Sequence, residues 1–320
     1  MASIYIYSPS GVVRERRVLR RALRRLQALG HECVLDADAL ARHRYFAGDD
    51  DTRLAAIARA AASGADIALI TRGGYGITRL LPRLPYEALA QAAEQGTRFV
   101  GLSDFTALQL ALLQQTGAVT WAGPALCGDF GAPEGVDDIM QACFDDMVCG
   151  ASEGTGWRLP AADFSAYGAR LQGTLAQDAV LWGGNLCMVC SLLGTPWFPH
   201  IDGGVLFLED VGEAAFRVER MLAQLLHAGV LARQQAVVLG QFSGVRAPRR
   251  ESEHSLPRAL QWLRPQLNEV GVPLLTGLPF GHVPTKVLLP VGARVDVEVQ
   301  GREALLLWGH IGHRGHGAHA

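Results

Sequence analysis

A serine at the apex of a strand–turn–helix pattern is the first residue in this chain that could do chemistry. In segment 98–115, RFVGLSDFTALQLALLQQ, an apolar strand ends at a GLSD turn and an apolar helix begins at Phe105. This geometry exposes the Ser103 hydroxyl near helix N-terminal amides, which could stabilise an oxyanion. The alternative is that Ser103 or Asp104 only caps the helix.

A glycine-rich turn is the second candidate. The apolar stretch 65–70 predicts a buried parallel strand, which leads into TRGGYG at residues 71–76. Glycines let backbone amides come close to an anion, either a phosphate or an oxyanion. The spacing matches neither the P-loop nor the GxGxxG fingerprint, so it does not favour a nucleotide site. The glycines could also serve only to allow a tight turn.

A carboxylate and a histidine complete a candidate set. Glu209 follows the apolar strand GVLFL, and His282 lies on the turn LPFGH between two apolar segments. In chain order, Ser103, Glu209 and His282 could be the nucleophile, the orienting acid and the base of a hydrolase. Spacing alone leaves open whether the three side chains meet.

Two further patterns indicate structure rather than chemistry. Cys187 and Cys190 form a CxxC within the apolar helix pattern LCMVCSLLG, and we interpret them as buried helix residues, not as a redox or metal site. A glycine-rich tail carries four histidines, and we expect it to be disordered rather than to bind a functional metal. These histidines are His310, His313, His316 and His319.

Composition narrows the class of protein. The 320 residues are 49% hydrophobic and 19% charged, which is typical of a two-domain globular protein. A net charge of −2 gives no electrostatic support for nucleic acid as a partner. No apolar run reaches the ~20 residues of a membrane span, and the start has no basic region typical of a signal peptide. Together with six scattered cysteines, this predicts a cytoplasmic protein.

The order of elements predicts how the candidate residues are positioned. Strand and helix patterns alternate through residues 1–150, which favours an α/β domain with a doubly wound parallel sheet. Sites in such sheets form at the carboxyl ends of the strands, where the RGGYG turn and Ser103 lie. We expect residues 151–178 to cross between domains and residues 179–309 to form a mixed β/α domain that carries the glutamate and the histidine. The tail is 310–320. Seven arginines in segment 14–25 are interpreted as the solvated face of the first helix.

The chain resembles the LD-carboxypeptidase family, the serine peptidases of type S66, over nearly its whole length. Eight segments carry the resemblance in the same order, which makes it more specific than any single motif. They are SPSG, FAGDDDTRLAAI, RGGYGITRLLP, GLSDFTALQLAL, WAGP, GGNLCMVCSLLGTPW, GVLFLEDVGEAAFRVERMLAQL and GLPFGH.

The resemblance implies a role for each candidate. Ser103 would be the nucleophile, Glu209 its acid and His282 the base, and the backbone amides of Gly74 and Asp104 would form the oxyanion hole. It implies a flavodoxin-like N-terminal sheet, a swivelling C-terminal β/α domain, a homodimer, and neither cofactor nor metal. The implied substrate is a murein tetrapeptide, cleaved between the L-centre of a diamino acid and terminal D-Ala.

Several alternatives stay open. Relatives of this family inactivate microcin C-type peptide–nucleotides with a base-stacking aromatic, for which Trp157 and Trp182 are candidates by position only. Arg72 and Lys286 are candidates for binding the D-Ala carboxylate. A non-catalytic binding module on the same fold would not need the Ser103–His282 pair. A dinucleotide-dependent enzyme would need a phosphate fingerprint after the first strand, which SPSGVV does not provide.

Overall fold

The computed structural model describes residues 1–244 and 255–311. Its strands are β1 (Ser3–Tyr7), β2 (Glu32–Leu35), β3 (Ile67–Ile70), β4 (Arg98–Gly101), β5 (Thr120–Ala122), β6 (Gly154–Arg158), β7 (Gly173–Asn185), β8 (Val205–Val211), β9 (Ala236–Ser243), β10 (Leu274–Thr276), β11 (Leu289–Val291), β12 (Arg294–Gln300) and β13 (Glu303–Leu307). Its α-helices are α1 (Arg16–Ala28), α2 (Asp50–Ala62), α3 (Tyr86–Glu94), α4 (Phe105–Thr116), α5 (Asp138–Cys149), α6 (Ala161–Tyr167), α7 (Leu186–Leu192), α8 (Ala215–His227) and α9 (Leu256–Glu269).

The first sheet has the order β11-β5-β4-β3-β1-β2 within the described residues. Its pairs are parallel, except that β11 runs antiparallel to β5. Every residue of β3 is buried, as expected for a parallel strand covered on both faces. The alternation of strands and helices explains this arrangement, because each crossover helix packs its apolar side on the sheet.

The second sheet has the order β10-β9-β8-β7-β12-β13-β6 in the same part of the chain. The strands from β7 to β10 pair in parallel, whereas β12, β13 and β6 add antiparallel pairs. This mixed sheet and the largely parallel first sheet confirm the predicted α/β fold class.

Two segments lie elsewhere than the predicted ranges suggest. Range 151–178, expected to cross between domains, contains β6, α6 and the start of β7, and both strands belong to the second sheet. In the other direction, β11 lies within the range expected for the C-terminal domain but completes the edge of the first sheet. Three of the four tail histidines, His313, His316 and His319, lie outside the described residues.

Helix α1 shows what its arginines do. Leu19, Ala22 and Leu26 form its buried side, and most of the arginines are exposed. Two arginines differ from the prediction of a solvated face because they bind backbone carbonyls. Arg21 donates to the carbonyl of Gly131, and Arg25 donates to the carbonyls at 130 and 132. These bonds hold a loop that borders the site described below. No helix in the described part of the chain has both the length and the apolar character needed to cross a bilayer.

Candidate active site

Ser103 lies on a sharp turn between β4 and α4. Its φ of 69° falls in the left-handed region, which non-glycine residues adopt at a cost of about 1–3 kcal/mol. The capping alternative is not supported, since α4 has no side-chain cap hydrogen bond. Gly73 packs directly against the serine: a Cβ added there would lie 2.6 Å from the Ser103 Cβ and 2.8 Å from its Oγ. Only glycine fits this contact without moving the turn.

Glu209 and His282 form a close pair. The Nδ1 atom of His282 lies 2.7 Å from Oε2 of Glu209, so the ring donates this N–H to the carboxylate and keeps Nε2 for another partner. Glu209 is fully buried near the end of β8, and the His282 side chain is 22% exposed. Gly281, with φ of 139°, allows this approach, because a Cβ there would lie 3.1 Å from Oε2 of Glu209.

Asn185 holds the glutamate from the side away from His282 and links it to Asp210. Nδ2 of Asn185 donates to Oε1 of Glu209 at 3.2 Å and to Oδ1 of Asp210 at 3.0 Å. The pKa of Asp210 is raised, first by burial and also by the charge of Glu209. Asn185 also caps α7 by accepting from the Met188 amide, and its bridge between two acids was not predicted. It joins neighbouring ends of β7 and β8, and only their pairing reveals it.

Five of the candidate residues line one pocket of about 610 Å³. Ser103, Gly74 and Arg72 line it from the carboxyl ends of the first sheet, and His282 and Lys286 line it from the segment after β10. Glu209 lies behind His282. A hydroxyl and a histidine whose far side is held by a carboxylate therefore line one cavity, as a nucleophile and its base must.

Two backbone amides are available beside the serine. Gly74 has φ of 135° and packs on Gly11, since a Cβ on it would lie 3.1 Å from the Gly11 Cα. Asp104 immediately precedes α4, and the first N–H groups of a helix have no carbonyl acceptor within the helix. Within residues 1–244 and 255–311, neither amide donates to a protein acceptor. Such amides can bind developing negative charge.

The Asp104 side chain has a role that the sequence did not predict. Its Oδ2 accepts from Ser10 Oγ at 2.5 Å and from the Ile77 amide at 3.0 Å. Burial raises the pKa of this carboxyl group, and the Ser10 hydrogen bond partly opposes the shift. The carboxylate thus joins the serine turn to the SPSG turn and to the end of RGGYG.

The two cations predicted to bind a carboxylate differ in their surroundings. The Lys286 ammonium is buried and lies 2.5 Å from Oδ1 of Asp129. Next to it, the Thr285 hydroxyl donates to Asp137 at 2.6 Å. Arg72 is half-buried, and its Nη1 donates to the Val12 carbonyl at 3.2 Å. Burial lowers the pKa of Arg72, and the nearby charge of Arg14 lowers it further.

Neither tryptophan named from the sequence reaches the pocket. Trp182 is fully buried in β7, where its indole N–H donates to Gln234 and its ring packs on Phe198. Trp157 is buried in β6, and its N–H donates to the Thr276 carbonyl. This placement runs against a substrate contact at Trp182. Around Trp182, β7 is buried on both faces, so neither face opens to a cleft. The apolar pattern of the sequence does not show that both faces are covered.

The CxxC cysteines lie on α7 as predicted. Burial raises the pKa of the Cys190 thiol to about 12 and also raises that of Cys187, so both thiols stay protonated near neutral pH. No group of three or more metal-ligating side chains with the geometry of a metal site is found in the described part of the chain.

Comparison with known proteins places this geometry in a family. The model of the LD-carboxypeptidase N-terminal domain matches residues 4–123, and the model of the C-terminal domain matches residues 178–297. The murein tetrapeptide carboxypeptidase of Pseudomonas aeruginosa is 32% identical over 286 residues, covering 88% of each chain.

Two further relatives extend the comparison. The crystal structure of muramoyltetrapeptide carboxypeptidase from Oxalobacter formigenes matches with a TM-score of 0.83 and 36% identity, covering 97% of this chain and 100% of that one. The microcin C7 self-immunity protein MccF of Escherichia coli is 25% identical over 247 residues, covering 71% of this chain and 70% of its own. The chain therefore belongs to the LD-carboxypeptidase family, peptidase S66, and is a serine carboxypeptidase.

Proposed function

We propose that this protein hydrolyses the bond between the L-centre of a diamino acid and the terminal D-Ala of murein tetrapeptides. The observation that carries the proposal is that Ser103, on its left-handed turn, and the His282–Glu209 pair lie at one pocket. The choice of a murein tetrapeptide as substrate rests on relatives at 32% and 36% identity whose names state that substrate.

The geometry supports an acyl-enzyme mechanism. Nε2 of His282 takes the proton of the Ser103 hydroxyl while the oxygen attacks the carbonyl carbon, and Glu209 stabilises the imidazolium. The Gly74 and Asp104 amides bind the oxyanion of the tetrahedral intermediate. The intermediate collapses with cleavage of the C–N bond, and His282 gives its proton to the leaving D-Ala amine. Water, deprotonated by His282, then hydrolyses the ester and restores the serine.

The proposal predicts that D-Ala release depends on the Ser103 hydroxyl. Mass spectrometry of a murein tetrapeptide incubated with wild type should show release, and Ser103→Ala should lower the rate by about 1,000-fold or more. Ser191→Ala, an exposed serine on α7, is the matched control and should keep the wild-type rate. Equal release by wild type and Ser103→Ala would contradict the assignment of the nucleophile.

Peptide–nucleotides are the second substrate class, because MccF is among the relatives. The pocket favours the tetrapeptide: within the described residues, its lining contains no phenylalanine, tyrosine or tryptophan on which a nucleobase could stack. Cleavage of a peptidyl nucleotide without cleavage of the tetrapeptide would reverse this order. The homodimer implied by the resemblance and the cytoplasmic location predicted from the composition stay predictions.

A further inference from the structure

The proposed substrate places a fixed demand on the pocket, and the inference that follows rests on that proposed function. A terminal D-Ala carries its carboxylate carbon two bonds from the scissile nitrogen. The group that binds this anion must therefore lie in the same pocket as Ser103. A buried carboxylate needs a cation or several N–H donors to replace its lost hydration.

The pocket is lined by four cationic side chains: Arg14, Arg21, Arg72 and Lys286. Two of them are already engaged. Lys286 is neutralised by Asp129, with both side chains more than nine-tenths buried. Arg21 directs its Nε and Nη2 to the carbonyl of Gly131. Lys286 cannot take a substrate carboxylate without weakening an ion pair of the fold, and Arg21 has only its remaining N–H groups to offer.

Arg72 has the opposite character. Within the part of the chain that the structure describes, no carboxylate lies within ion-pair distance of its guanidinium, and its hydrogen bond to Val12 uses only Nη1. A guanidinium has five N–H donors in a planar fork that matches a carboxylate. The group is half-buried, and the charge of Arg14 lies nearby instead of an acid. An anion would relieve this local excess of positive charge.

The position of Arg72 in the chain also suits this role. It is separated by one residue from Gly74, which lines the pocket, and Gly73 packs on Ser103. The guanidinium borders the turn after β1, since a Cβ added at Gly11 would lie 3.0 Å from its Nη1. One turn thus carries both an amide for the scissile carbonyl and a cation for a neighbouring carboxylate.

We propose that Arg72 binds the terminal carboxylate of the substrate and makes the enzyme a carboxypeptidase, whereas Lys286 is a structural cation paired with Asp129.

The test measures binding separately from hydrolysis. In a Ser103→Ala background, calorimetry compares the murein tetrapeptide with the same peptide ending in D-alaninamide. The Ser103→Ala protein should bind the free acid more tightly than the amide. Adding Arg72→Gln should weaken binding of the acid by about 10- to 100-fold and leave the amide nearly unchanged. Arg72→Lys should keep part of the preference as a point charge.

Two further variants distinguish a specific role of Arg72 from a general effect of the protein's positive charge on anion binding. Arg20→Gln, on the exposed side of α1, makes the same change in net charge and should keep the preference for the acid. Arg14→Gln tests the neighbouring cation. Loss of the preference in Arg14→Gln together with its retention in Arg72→Gln would overturn the inference.

The outcomes also distinguish this inference from the proposed function. If wild type releases D-Ala but Arg72→Gln still prefers the acid, the inference fails and the function stands. If neither peptide binds to the Ser103→Ala protein, both fail. If the acid binds through Arg72 without hydrolysis by wild type, the carboxylate site stands and the catalytic assignment fails.

Discussion

The Glu209 carboxylate lies behind His282, shielded from solvent, and accepts the Nδ1 hydrogen of the ring. Glu209→Gln keeps the shape but removes the charge that holds this tautomer and stabilises the imidazolium. We expect kcat to fall by about 100- to 10,000-fold with little change in KM, as measured by D-Ala release. An unchanged kcat in a folded variant would show that the pair is only structural.

Gly73 provides a second test at a single residue. A methyl group there would lie 2.6 Å from the Ser103 Cβ, so Gly73→Ala should displace the serine. A shift of about 1 Å can cost about 100-fold in rate, which is the expected fall in kcat. Gly128→Ala is the matched control, because its Cβ would meet nothing within 4 Å. Equal rates for the two variants would contradict a tight contact between the turns.

At the scale of elements, Asp104 joins the start of α4 to the end of the turn after β3 and to the turn after β1. Removing its donor with Ser10→Ala leaves a buried carboxylate less well bonded, at a cost of about 1–3 kcal/mol near neutral pH. Because burial raises the pKa of Asp104, the folded state holds this proton more tightly than the unfolded state, and the carboxyl contributes less stability as pH rises.

The hydrogen bond from Ser10 favours the charged form of Asp104. Its loss should therefore raise the pKa of Asp104 further and make stability fall more steeply as pH rises. We therefore expect the difference between Ser10→Ala and wild type to be larger at pH about 8 than at pH about 4.5. Urea unfolding at the two pH values measures it. A difference independent of pH would mean that the hydroxyl does not act through the carboxylate.

Across the whole molecule, Lys286 and Asp129 connect the segment after β5 with the segment that leads into β11. Lys286→Met leaves a buried carboxylate unpaired and should lower the free energy of unfolding by about 3–5 kcal/mol. Replacing both residues, Lys286→Met with Asp129→Leu, should be less destabilising than the single change. Denaturant unfolding compares the three proteins, and strictly additive losses would show that the pair does not interact.

The fold class and the position of the candidate site could be predicted from the sequence, because the motifs that carry the site lie directly after strands. The turns that carry Ser103 and Gly74 are local features, and a parallel sheet brings its carboxyl ends to one edge without further information. The contacts that could not be predicted join distant segments: Ser10 and Asp104 are 94 residues apart. The burial of Trp182 and the return of β11 to the first sheet depend on strand order, which apolar pattern does not encode.

The return of β11 has a consequence for how the protein is made. Until residues 289–291 have been synthesised, β5 has a partner only on its β4 side and is an edge of the first sheet. The segment that closes this edge directly follows the turn of His282 and directly precedes β12, which pairs with β7. A nascent chain that stops before β11 therefore lacks the edge strand of the first sheet and the strand that joins β7 to β13 in the second, so we expect its site to be incomplete.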